Sequence, residues 1–99
     1  MNVGTKINLL IKSQGFDHHN PMYPGRTSSY STKTGLQIMM FAYTSNATHY
    51  DIDQQPDGNY TISTGLKHST ATTLVSDIAE ENVAKTFMQI ISEKMKEFA

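Results

Sequence analysis

The sequence predicts an α+β fold in which a short N-terminal helix, a three-stranded antiparallel meander and a long amphipathic C-terminal helix follow in the order αβββα. Three patterns predict it. Apolar residues recur at helical spacing near both ends of the chain, apolar and polar residues alternate in two central stretches, and a turn rich in Pro and Gly joins those stretches. With 99 residues and 37% apolar content there is material for one core and not for two, so residues 1–99 read as a single domain.

Val3, Ile7, Leu10 and Ile11 share one helical face, and Asn2 or Thr5 can cap its start. Gly15 ends the helix. Placed at C′ in the left-handed region, it puts Ile11 at C3 and Phe16 at C″, the pair whose apolar contact accompanies a Schellman stop. Residues 17–34, DHHNPMYPGRTSSYSTKT, have no helical period. They hold either a short edge strand over Thr27 to Thr32 or a loop packed by its own Met22, Tyr23 and Tyr30.

The stretch Leu36 to Thr44 is short, apolar and followed by Ser45 and Asn46, which predicts a strand. Strict alternation sends Leu36, Ile38, Met40 and Ala42 to one face and Met39, Phe41 and Tyr43 to the other. From His49 to Asp53, Tyr50 and Ile52 alternate with His49, Asp51 and Asp53, so this strand has one buried and one wet face. The turn Gln55-Pro56-Asp57-Gly58-Asn59 then leads into Tyr60, Ile62 and Thr64. A polar link from Gly65 to Thr72 follows. Val75, Ile78, Val83, Phe87, Ile90, Ile91, Met95 and Phe98 recur at three- and four-residue steps, predicting a long helix that starts between Thr73 and Ile78. Asp77 with Glu80 resembles a capping box, and Lys94 and Lys96 suit the helix's negative end.

Eight basic against nine acidic residues give a net charge of -1, so no global field concentrates nucleic acid or an anionic membrane. No cysteine is present, which removes disulfides, thiolate zinc sites and Cys nucleophiles. The apolar cluster Ile7 to Ile11 is too short for a signal peptide's core, and no run has the length to span a bilayer; a cytoplasmic location is expected.

Four histidines are the first place to seek chemistry. His18 and His19 are adjacent, so their side chains diverge and read as a polar loop. His49 and Asp51 share the wet face of one strand and are the single His–carboxylate candidate; His68 joins them only through a fold contact the sequence does not show. The run Asp51 to Gly58 fails the EF-hand pattern, with Gln55, Pro56 and Ile62 where the ligand, glycine and glutamate belong. No Gly-x-Ser-x-Gly elbow, phosphate loop or His-Glu-x-x-His pair occurs. No catalytic, cofactor or metal residue is therefore expected, and a small hydrolase with a His/Asp site stands only as an alternative.

The αβββα order resembles that of the double-stranded-RNA-binding domain. That family carries a basic cluster at the start of its last helix, whereas this chain has Asp77, Glu80 and Glu81 there, so the resemblance implies topology without phosphate grip, and nucleic acid is the less favoured partner. In size and topology the chain is also similar to compact phage-encoded inhibitors, including some anti-CRISPR proteins, although no motif is shared.

Two helices cover one face of a three-stranded sheet. The other face then displays Met39, Phe41 and Tyr43, an apolar patch that asks for a cover. Residues 17–34, bringing Tyr23 and Tyr30, are one cover; a second copy of the chain or another protein is the other. The expected function is protein binding, to itself or to a partner it inhibits, through Met39, Phe41, Tyr43, Tyr23 and Tyr30.

Overall fold

The computed structural model describes residues 1–67 and 69–98. Helix α1 spans Val3–Ser13; strands β1 to β5 span Arg26–Ser31, Gly35–Ala42, Thr48–Gln54, Tyr60–Leu66 and Thr72–Ile78; helix α2 spans Glu80–Met95, with a 3-10 turn over Lys96–Phe98. The fold is α+β with an N-terminal and a C-terminal helix, as the sequence predicts, but the antiparallel meander has five strands in the order β1-β2-β3-β4-β5, not three.

Helix α1 is specified locally. Asn2 Oδ1 accepts the Thr5 amide at 2.8 Å, which satisfies one of the free donors of the first turn. At the other end Gly15 adopts φ 98°, the Phe16 amide donates to the Ile11 carbonyl and the Gly15 amide to Lys12, the two bonds of a Schellman stop. The chain then turns so that the Phe16 ring enters the core, edge-on to Phe87 at 5.5 Å.

The first additional strand, β1, settles the reading of residues 17–34. Thr27 to Ser31 lie in an edge strand paired with β2, and residues 17–25 form the loop that precedes it. The second, β5, overturns the early start of the last helix. Thr72, Thr73 and Val75 are β-branched, and the strand bulges: Ile62 faces Val75 while Tyr60 faces Ile78, so β5 spends three residues where β4 spends two. Asp77 takes up the extra residue at φ 55°. Val75 and Ile78 therefore both meet the core although they stand three apart, a spacing that imitates a helix. The capping box of Asp77 and Glu80 does not form; Ala79 is the cap residue and contributes no side-chain bond.

Both helices lie on one face of the sheet. Ile7 and Ile11 from α1 and Val83, Phe87 and Ile91 from α2 cover Leu36, Ile38, Met40, Tyr50, Ile52, Tyr60 and Ile62, all buried. Burying each such aliphatic or aromatic side chain contributes roughly 1.5–3 kcal/mol. No helix among the described residues is long and apolar enough to cross a membrane.

Candidate functional site

The opposite face of the sheet carries the polar half of each strand. Register places Tyr30 beside Gln37, Gln37 beside Asp51 and Asp51 beside Ser63, so these four form a row across β1 to β4. The next row is Ser28, Met39, His49 and Gly65. A hollow of about 350 Å³ opens between the first row and Asp53, with Thr32 and Ala71 at its margin.

Asp51 is the hub of the face. Its Oδ1 accepts Gln37 Nε2 at 2.9 Å, and its Oδ2 lies 3.0 Å from His49 Nδ1. The other ring nitrogen of His49, Nε2, lies 3.2 Å from the backbone carbonyl of Ser69. Both neighbours of this buried ring are acceptors. A neutral imidazole donates to only one of them; a doubly protonated ring donates to both. Asp53, two residues along the same strand face, has its carboxyl pushed above the usual carboxylate range by partial burial and then by the nearby Asp51 charge.

The expected apolar patch is not assembled. Arg26 pairs with Ala42 and Ser28 with Met39, so β2 carries one extra residue there, and Phe41 absorbs it at φ 60°. Met40 and Phe41 consequently both point into the core, and the Phe41 ring packs on Phe98 with centroids 4.8 Å apart. Met39 stays on the open face, half-buried. Tyr43, at φ 69°, is 84% exposed beyond the end of the strand. Tyr23 stacks on Phe16 at 5.7 Å, and Tyr30 stands on the open face, 69% exposed. Of the five residues, then, Met39 and Tyr30 share the open face, while Phe41 belongs to the core.

Of the histidines, His49 meets Asp51 as the strand alternation implies. His68 lies outside the described residues. His18 packs edge-on against Phe16 at 5.0 Å and His19 is exposed. Among the described residues no cluster of three or more His, Asp or Glu side chains is placed to hold a metal ion.

Gln37 and Ser69 escaped the sequence reading. Gln37 looks like a mere interruption in an apolar run until the β2–β3 register sets it beside Asp51. Ser69 reaches His49 by a backbone atom, which no side-chain pattern announces.

No protein-family model, curated protein or solved structure gives a significant match to the chain.

Proposed function

We propose that this is a non-enzymatic binding protein that engages a protein partner through the open face of its sheet. The observation that carries the reading is the set Tyr30, Gln37, Asp51 and His49 on that face, of which Gln37, Asp51 and His49 are linked through the Asp51 carboxylate. Its inner members are held in place before any partner arrives, which reduces the ordering cost of association. Tyr30 supplies a rigid, exposed aromatic anchor beside a hollow, and Ser28 and Ser63 supply adaptable hydrogen bonds, the residue chemistry of adaptable recognition surfaces. Binding by a polar face replaces the apolar sheet contact anticipated from strict alternation.

The His49–Asp51 pair supports binding more than catalysis. A general base presents its free ring nitrogen to substrate, and here Nε2 already faces the Ser69 carbonyl. Inhibition of the partner, or adaptor function through self-association, are the roles such a surface serves.

The test compares Tyr30→Ala and Gln37→Ala with Lys85→Ala, a change at an exposed position on α2. All three should retain the parent circular dichroism. Crosslinking in cells of the native source should give partner adducts that the first two variants lose and the third keeps; light scattering of the purified chain identifies the case in which the partner is a second copy. Adducts unaffected by Tyr30→Ala and Gln37→Ala would sink the proposal.

A further inference from the structure

On the helix-bearing side of the molecule, away from the row of Tyr30 and Asp51, three side-chain polar atoms among the described residues are buried without a mate: Asn8 Oδ1 on α1, and Thr27 Oγ1 and His18 Nε2, which line shared hollows. Thr27 is 8% exposed, and its Oγ1 has no hydrogen-bond partner among the described residues; the same is true of His18 Nε2. Leaving such a group unpaired costs roughly 1–3 kcal/mol. Both residues line the same two adjoining hollows, of about 510 and 380 Å³, between the end of α1, the loop after it and β1.

What surrounds them is rich in donors. Lys12, His19 and Ser29 line the first hollow, and Arg26 lines the second. Lys12 and His19 lie close enough to His18 that, after burial, their charges are the next causes holding its pKa below the usual value. Asp17 is the opposing charge, and its Oδ1 is already occupied by the His19 backbone amide at 2.9 Å. Lys12 and Arg26 outnumber the one carboxylate, Asp17, in the lining of the two hollows, so the balance of charge favours an anion that accepts hydrogen bonds from the hydroxyl and N–H groups beside them.

We infer that this cleft binds a phosphate-class oxyanion, with Thr27 and His18 as the innermost donors and Lys12 and Arg26 supplying charge. The site shares no lining residue with the hollow on the open face, and of the residues named for the partner surface only Ser28 borders it, so Thr27→Val and Tyr30→Ala test the two readings separately.

The test is an NMR titration of the full chain with sodium phosphate, and separately with glycerol phosphate, each against sodium chloride at equal ionic strength. Saturable shifts centred on Lys12, His18 and Thr27 are expected. Tighter binding of glycerol phosphate assigns the site to an organic phosphate, and equal binding assigns it to the free anion. Thr27→Val keeps the side-chain shape and removes the hydroxyl. It should melt no lower than the parent without phosphate, showing that it folds, yet bind phosphate about tenfold more weakly, as loss of a hydrogen bond to a charged group requires. Lys12→Gln should weaken binding and flatten its salt dependence. Shifts no larger than those from chloride, or a Thr27→Val variant that binds phosphate as tightly as the parent, overturn the inference.

Discussion

The Tyr60 hydroxyl donates to Glu80 Oε1 at 2.8 Å, and the same oxygen receives Lys6 Nζ at 2.8 Å. One carboxylate thus ties β4, α2 and α1 together at the edge of the core. Glu80 suits the first turn of α2 on dipole grounds, but its actual partners come from the sheet and the other helix.

This joint makes stability pH-dependent at both ends. Lys6 first, and Tyr60 second, hold the Glu80 carboxyl below its usual value of 4.5. Its contribution is therefore present above about pH 4.5 and is lost as pH falls through the lower folded value. Because the ion pair is half-exposed, the effect stays below about 1 kcal/mol. Burial, with Glu80 adding to it, pushes the Tyr60 hydroxyl from 10 up to about 12, so its contribution is complete below pH 10 and fades between 10 and 12. Urea unfolding across pH should show Glu80→Gln with a shallower acid limb than the parent. Tyr60→Phe should lack this alkaline loss and cost about 1 kcal/mol at neutral pH. Identical acid limbs in parent and Glu80→Gln would refute the assignment.

Phe41 and Tyr43 both adopt left-handed backbone, but only one is structural. Phe41→Ser removes a fully buried ring from against Phe98 and should cost about 3–5 kcal/mol, the range for deleting a core aromatic. Tyr43→Ser should change stability by less than about 0.5 kcal/mol. Tyr43→Asn, whose side chain tolerates left-handed backbone, should melt at or above the parent temperature. Comparable losses from Phe41→Ser and Tyr43→Ser by thermal unfolding would contradict the placement.

The same bulges explain what could and could not be read from the chain. Helix α1 was legible to its last hydrogen bond because Asn2, Gly15 and Phe16 act locally. The β3–β4 hairpin was legible because its turn lies between two alternating stretches. Where β2 and β5 each insert a residue, the parity of inward and outward positions breaks. Phe41 then crosses to the core, and Val75 and Ile78 acquire a helical spacing while remaining in a strand. The His49–Asp51 pair was legible from a two-residue spacing on one strand. The Gln37 contact depends on pairing between β2 and β3, and the Ser69 contact on the path of the backbone after β4.

Gly4 tests the seating of α1. A Cβ there would collide with the backbone carbonyl of Gly35 and approach Thr32 N to 2.7 Å and Ser31 Cα to 2.9 Å. Helix propensity alone favours Gly4→Ala by about 1 kcal/mol. Three rigid backbone obstacles oppose it, and forcing bulk into such packing costs about 1–3 kcal/mol or more, so the net effect should be destabilising. The amides of Val3 and Gly4, which donate to Lys33 and Thr32 carbonyls, should lose protection in hydrogen exchange. A variant more stable than the parent would show that α1 sits farther from the β1–β2 turn.

The contact between His49 Nε2 and the Ser69 carbonyl should act as a latch on the connection between β4 and β5. Two unrelated substitutions break it. His49→Ala removes the ring, and Gly65→Ala builds a Cβ 2.8 Å from His49 Nε2 and from Ser69 Oγ, and 3.0 Å from the Thr70 carbonyl, which displaces ring or backbone. The Ser69 amide, which donates to Leu66 at 2.9 Å, reports on the outcome. Both variants should speed its exchange about tenfold, the loss of a single hydrogen bond of about 1.4 kcal/mol, while Ile52 and Ile62 at the sheet centre exchange as before. Asp51→Asn should give a smaller acceleration, because the ring and its Nε2 contact stay in place while only the charge beside Nδ1 is lost. Should Ser69 exchange at the parent rate in both His49→Ala and Gly65→Ala, Nε2 is not engaged with the backbone. A ring nitrogen free to face solvent would return the His49–Asp51 pair to the list of candidate general bases, and with it the enzymatic alternative.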